Sequence, residues 1–168
     1  MTRRILAVLS AAVLFSLSVL VAAPGVVSAQ EAPPGPPPVP AESGDGRRVV
    51  YSNGQQRVWL VEADGTVART YLVSGRKNYP RRGTYSVFSR SEHTRSGAVR
   101  MQYMVRFTKS ARTNVGFHSI PVDRRGRLVQ STSQLGTPRS RGCVRQSIDD
   151  ARFLWEWAPI GTVVVVTP

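Results

Sequence analysis

The sequence has 168 residues, 41% of them hydrophobic and 20% charged, which fits one globular domain and excludes a disordered or fibrous chain. One Cys rules out an internal disulfide framework and a multi-Cys zinc site, and two His leave few ligands, so a metal centre with hydrolytic zinc chemistry is not expected. The formal net charge of +13 is almost all arginine, 21 Arg against 2 Lys, which suits polyanions such as nucleic acid, acidic lipid or bacterial wall polymer.

In chain order, residues 1–29 read as an export signal. Met1-Thr2-Arg3-Arg4 precedes an uncharged stretch that ends in the small residues Val27-Ser28-Ala29, just after the helix breaker Pro24-Gly25. An uncleaved anchor is the alternative, because residues 5–23 nearly reach the roughly 20 needed to span a bilayer. Either way the expected location is periplasmic or cell-wall associated. Residues 30–46 form a linker that holds half of the 12 prolines between Pro33 and Pro40. A run of that kind stays extended and acts as a stiff spacer.

Residues 47–168 form the folded domain and hold 21 basic and 7 acidic side chains, so the basic surface belongs to this part. Strand-like runs at 49–52 and 57–62 flank Asn53-Gly54, and Asp64-Gly65 precedes 67–73, giving two hairpin signals. Residues 84–88 predict a further strand. Along 100–108, Met101, Tyr103, Val105 and Phe107 alternate with Arg100, Gln102, Met104 and Arg106, the pattern of a half-buried strand. Residues 115–120 and 162–167 complete the set, the latter with four successive valines that imply burial on both faces. One helix is expected: Ser147 caps it, Asp149 and Asp150 sit in its first turn, and Ile148, Ala151, Leu154, Trp155 and Ala158 form its apolar stripe. The fold class is mainly β, sandwich-like or barrel-like, with one main α-helix after the Cys. The long stretch 121–142, poor in strand pattern, predicts a functional or mobile loop.

That loop joins Phe117-His118-Ser119 to Ser140-Arg141-Gly142-Cys143-Val144-Arg145. A thiol ionises near pH 8.5 and needs a base or a positive field to act as a nucleophile at neutral pH. His118 offers the base, and Arg141 and Arg145 bracket Cys143 with positive charge. Gly142 would let its own amide and that of Cys143 turn toward a developing oxyanion. His93 is the rival base, but Ser91 to Gly97 reads as an exposed polar turn. A buried structural thiol is the bland reading of Cys143, and a Gly-Arg-rich loop is an unusual place for one.

These residues resemble the L,D-transpeptidase (YkuD) catalytic domain family, whose signature is a His followed, after a loop, by Ser/Thr-x-Gly-Cys-x-Arg/Asn. Tyr71-Leu72-Val73-Ser74-Gly75, Asn78-Tyr79-Pro80-Arg81-Arg82-Gly83-Thr84-Tyr85 and Met101-Gln102-Tyr103-Met104 resemble further family segments. The resemblance implies Cys143 as nucleophile, His118 as general base, Ser119 as the residue whose carbonyl orients the imidazole, and Gly142 with Cys143 as the oxyanion hole. Ser140, Arg141, Arg145 and Tyr103 are implied as substrate-binding candidates. Arg141 stands where the family often has a second His, and Tyr79 where it usually has Thr.

The resemblance further implies an exported peptidoglycan enzyme, with no cofactor and no metal, acting as a monomer. The thiolate would be acylated by a tetrapeptide stem with loss of D-Ala. Transfer to an amine of another stem would then form a cross-link between third-position residues, while water as acceptor would make an L,D-carboxypeptidase. A non-catalytic module that binds acidic wall polymers through its arginines is the reading from another class. Nucleic acid is not an expected partner, since an export signal is present and interleaved aromatic and basic stacking motifs are not. Ser74-Gly75-Arg76-Lys77 also matches a Ser-x-x-Lys motif, but without its usual companion motifs.

Overall fold

A computed structural model describes residues 35–111 and 113–168. The expected export signal therefore lies outside the described residues.

Among the described residues, nine strands form two sheets. β1 (Arg48–Ser52), β2 (Arg57–Val61), β3 (Val67–Leu72), β4 (Gly83–Ser86) and β9 (Val163–Thr167) make a five-stranded sheet in the order β3-β2-β1-β9-β4. β5 (Ser89–Ser96), β6 (Val99–Lys109), β7 (Asn114–Ser119) and β8 (Val144–Gln146) make a four-stranded sheet in the order β5-β6-β7-β8. Neighbours are antiparallel except β1 with β9 and β7 with β8, which are parallel. The expected mainly β fold with one principal helix is observed, and the sheets pack face to face. Val49, Tyr51, Val58, Leu60, Val164 and Val166 from the first sheet meet Val105, Phe107, Phe117 and Val144 from the second in one core.

Both predicted hairpins form. Gln56 turns the first with a φ of 47°, and its buried side chain donates to the Asn53 carbonyl and accepts from Gly75 N–H at 2.6 Å each. In the second, Asp64 Oδ1 accepts from Thr66 N–H at 2.9 Å and Gly65 takes a φ of 88°, the Asx-turn chemistry that the Asp-Gly pair predicted. Val164, Val165 and Val166 of β9 are buried because that strand lies between β1 and β4, whereas Val163 at its start is 38% exposed.

Helix α1 (Ile148–Trp157) begins where the cap predicted: Ser147 Oγ accepts from Asp150 N–H at 3.1 Å. Ala151, Leu154 and Ala158 are buried as expected, whereas Ile148 is 42% exposed. Asp150 is buried instead, because Arg69 of β3 reaches across to its carboxylate at 2.6 Å.

Three expectations are corrected. Residues 91–97, read as a polar turn, belong to β5 as far as Ser96; an edge strand pairing only with β6 is half exposed, so its polar composition hid it. Along β6, Tyr103 has a φ of 57°, which breaks the strict alternation, so Met101 lines a cleft together with Met104 and Arg106 instead of sharing the core face. The linker also changes character, since its described part, residues 35–46, packs against the domain instead of standing apart from it. The Pro37 carbonyl accepts from Trp59 Nε1 at 3.0 Å, and Val39 packs on Val50, Trp59 and Val61. A short 3-10 turn at Ala41–Ser43 then sets Ser43 Oγ against the Arg48 guanidinium at 3.0 Å. These residues cover the outer face of the large sheet, which is why β1 is buried on both faces.

Candidate active site

The parallel pairing of β7 with β8 brings the distant motifs together. Phe117 pairs with Val144, His118 with Arg145 and Ser119 with Gln146. Phe117 and Val144 turn into the core, so His118 and Arg145 turn the other way, into an open cleft of about 1030 Å³. Cys143 enters β8 one residue before Val144 and lines the same cleft. The sulfur is held near the β7 backbone: its S–H points to the Asn114 carbonyl at 3.9 Å, and it receives a backbone hydrogen bond from Gly116. Gly116 is required here, because a Cβ would stand 2.2 Å from the Val105 carbonyl oxygen where β6 bulges.

The connecting stretch is pinned rather than loose. Gly136 N–H donates to the Val73 carbonyl at 2.8 Å and Ser140 N–H to the Gly75 carbonyl at 3.0 Å. Ser74 and Arg145 exchange two backbone hydrogen bonds of 2.9 Å. A capping box at Ser131 and Gln134 closes a 3-10 turn at Thr132–Gln134. Gln130, almost fully buried, donates to Ser74 Oγ at 2.7 Å and accepts from Arg145 Nη1 at 3.1 Å.

His118 Nδ1 lies 2.6 Å from the Ser119 carbonyl, and a carbonyl only accepts, so Nδ1 carries the proton and Nε2 keeps a lone pair. The Ser119 hydroxyl accepts from Gln102 N–H at 2.9 Å, fixing β7 to β6. Ser140 Oγ accepts from Gly142 N–H at 2.9 Å and donates to the Cys143 carbonyl. The Gly142 amide is thereby spent inside the loop, so it is not turned toward an incoming oxyanion. Gly142 has no left-handed backbone either, and a Cβ there would meet Tyr79 only at an ordinary 3.6 Å.

Burial dominates the electrostatics. It pushes His118 down to about 4, against the backbone bond to Ser119 and with help from the Arg145 and Arg106 charges. It also pushes the Cys143 thiol up, although Gly116, Arg106 and Arg145 oppose the rise. The expected activation by flanking arginines is therefore outweighed by burial. At neutral pH the pair rests as thiol and neutral imidazole.

Arg141 is exposed at the cleft, and Ser140, Gly142, Cys143 and Arg145 line it together with His118. Tyr103 does not: its hydroxyl accepts from Arg152 Nε at 3.0 Å and its ring lies 5.9 Å from that of Trp155, on the helix side. The rival base His93 is exposed on β5, beside Glu92 at 3.8 Å. Sequence reasoning missed Arg106, whose guanidinium enters the cleft from β6; its place on the polar side of an alternating strand was the available signal. It also missed the supporting amide of Gln130. Among the described residues, no three His, Cys, Asp or Glu side chains come together to hold a metal ion.

The family description "L,D-transpeptidase catalytic domain" matches residues 46–166. The chain is 36% identical over 52 residues to "Putative L,D-transpeptidase YciB" of Bacillus subtilis, a match covering 30% of this chain and 27% of that protein. An L,D-transpeptidase from Mycobacterium smegmatis shares the fold with a TM-score of 0.60 and 20% identity, covering 74% of this chain and 60% of that one. The L,D-transpeptidase of Xylanimonas cellulosilytica gives 0.58 and 24%, covering 77% and 64%. The chain thus spans about a quarter of the curated relative and under two thirds of these solved chains.

Proposed function

Because the chain belongs to the L,D-transpeptidase catalytic domain family over residues 46–166, we propose that it is an exported cysteine acyltransferase acting on peptidoglycan stem peptides. One observation carries this reading: a Cys and a correctly tautomerised His, 25 positions apart in sequence, face one cleft from adjacent parallel strands.

His118 Nε2 removes the thiol proton as Cys143 Sγ bonds to the carbonyl carbon between the third and fourth residues of a tetrapeptide stem. The oxyanion collapses, the C–N bond breaks, and the proton passes from His118 to the departing D-Ala amine. A thioester remains. An amine from a second stem attacks it, loses its proton to His118, and expels the sulfur, which is reprotonated. With water in place of the amine the same steps give an L,D-carboxypeptidase. Because the Gly142 amide is held by Ser140, oxyanion stabilisation falls to the Cys143 amide and the Arg106 and Arg145 charges. The substrate-binding part falls to Arg141 and Arg145 at the cleft, and the Ser140 hydroxyl positions the Cys143 loop.

Intact-mass analysis after exposure to a tetrapeptide stem and to a carbapenem tests the proposal. A covalent adduct that disappears in Cys143→Ala is expected. No adduct, or one that persists in that variant, would refute it, and salt-sensitive wall retention unaffected by Cys143→Ala would favour a wall-binding module instead.

A further inference from the structure

Among the described residues, the cleft around Cys143 is lined by five arginines, Arg76, Arg95, Arg106, Arg141 and Arg145, and by no Asp or Glu. None of the five belongs to an ion pair, since the ion pairs among the described residues use Arg47, Arg69, Arg127 and His93. Arg76, Arg95 and Arg141 are exposed, whereas Arg106 and Arg145 are half-buried. What holds those two is neutral. Arg106 donates to the hydroxyls of Ser91 at 2.9 Å, Ser89 at 3.3 Å and Thr94 at 3.4 Å, and Arg145 donates to the Gln130 carbonyl oxygen at 3.1 Å.

Hydroxyls and amides orient a guanidinium without cancelling its charge. A cation withdrawn partly from water is normally paired with an anion, and here no acid among the described residues lines the cleft to supply it. The missing counter-charge then has to arrive with the ligand. Guanidinium matches carboxylate as a planar two-point contact, so an acid is a better fit than a neutral amide. Both residues line the same cleft as Cys143 and His118, so what they hold sits beside the reacting pair.

We infer that the acyl donor is selected through the free side carboxylates of its second and third residues, received by Arg106 and Arg145, and that stems in which these are masked as carboxamides are poor donors. The inference rests on the acyl-transfer reading above and adds the charge state of the substrate to it. Arg106 is on this account a specificity residue that a Cys-centred motif does not include.

Two synthetic tetrapeptide stems decide it, identical except that the side carboxyls of the second and third residues are free in one and carboxamides in the other. Acylation of the full-length protein at Cys143 is followed by intact mass. The free acid is expected to react at least about tenfold faster, the scale of one charge-assisted contact. That ratio should narrow with added salt and fall toward one in Arg106→Gln. Equal rates, or a faster carboxamide, overturn the inference while leaving acyl transfer in place. Acylation by neither stem overturns the underlying reading and the inference with it. The ratio is measured on the unaltered protein, so it decides between free acid and carboxamide even if Arg106→Gln does not fold.

Discussion

The Ser119 carbonyl accepts a hydrogen bond from His118 Nδ1–H across 2.6 Å, which leaves Nε2 as the only basic nitrogen of the ring. Burial holds that imidazole down to about 4 and pushes the thiol in the same cleft up. The two groups therefore meet as neutral partners, unlike the preformed thiolate–imidazolium pair that lowered thiol pKa values produce elsewhere. Proton transfer has to accompany attack, which places the demand on His118 rather than on a standing thiolate.

A pH profile follows. The acid limb of acylation is expected near pH 4, where His118 protonates, rather than near the 6.5 of an ordinary imidazole. Neutral solutions should show no thiolate absorbance, and alkylation of Cys143 should keep accelerating through the alkaline range. A thiolate signal at pH 7 that vanishes on acidification would contradict the neutral pair. His118→Gln should lower acylation by about 10²–10⁴-fold, the usual range for general acid–base catalysis.

The same shift acts on stability. His118 titrates at about 4 when folded and 6.5 when free. Above pH 6.5 both states are neutral, and below it the unfolded chain takes a proton that the native ring refuses. Stability is therefore lost as pH falls from 6.5 to about 4. At about 1.4 kcal/mol per unit, the loss attributable to this residue is about 3 kcal/mol. Urea denaturation across that window should show a shallower pH slope in His118→Gln than in the parent protein, and parallel slopes would contradict the assignment.

Much of this was legible in the residues themselves. The Asn-Gly and Asp-Gly turns, Val164 to Val166 of β9 and the Ser147 cap each follow from local chemistry and take their predicted places in the fold, and His118 and Cys143 come to line one cleft. What stayed hidden depends on distant neighbours. β5 lacks apolar alternation because it pairs on one side only. The face taken by Met101 depends on the positive φ of Tyr103, which no pattern announces. The pKa values of Cys143 and His118 depend on burial, and a sequence shows the flanking arginines but not the depth of the cleft. The Gly142 amide escapes a sequence reading for a related reason: it is claimed by a hydroxyl two residues away.

That hydroxyl supplies a third prediction. Ser140 links the Gly142 amide to the Cys143 carbonyl, so Ser140→Ala removes both restraints on the segment that carries the nucleophile. Two net hydrogen bonds suggest a stability loss of about 1–3 kcal/mol. Acylation should fall about tenfold or more, because loose positioning costs rate directly. Ser140→Thr, which keeps the hydroxyl, should recover most of both. If Ser140→Ala melts lower yet acylates at the parental rate, the hydroxyl supports the loop without positioning the sulfur.

The last prediction concerns the segment that composition alone marks as a spacer. A spacer in solvent tolerates substitution, with surface changes usually within about 0.5 kcal/mol. Val39, however, packs on Val50, Trp59 and Val61, while the Pro37 carbonyl holds Trp59 Nε1. Those three residues are at most 1% exposed, and their cover on the outer face includes this strap. Val39→Asp should therefore destabilise the domain by about 1–3 kcal/mol, through lost apolar burial and the placing of a charge against Trp59. It should also open residues 37–46 to limited proteolysis while the rest of the domain stays resistant. Val39→Ile should behave like the parent. A neutral effect of the Asp substitution on both urea midpoint and cleavage rate would mean that the strap contributes nothing and that the segment is only a tether. A loss confined to Val39→Asp would establish that the folded unit begins before Arg47, where the charged domain starts in sequence, and that the proline-rich stretch doubles as a cover on its outer sheet.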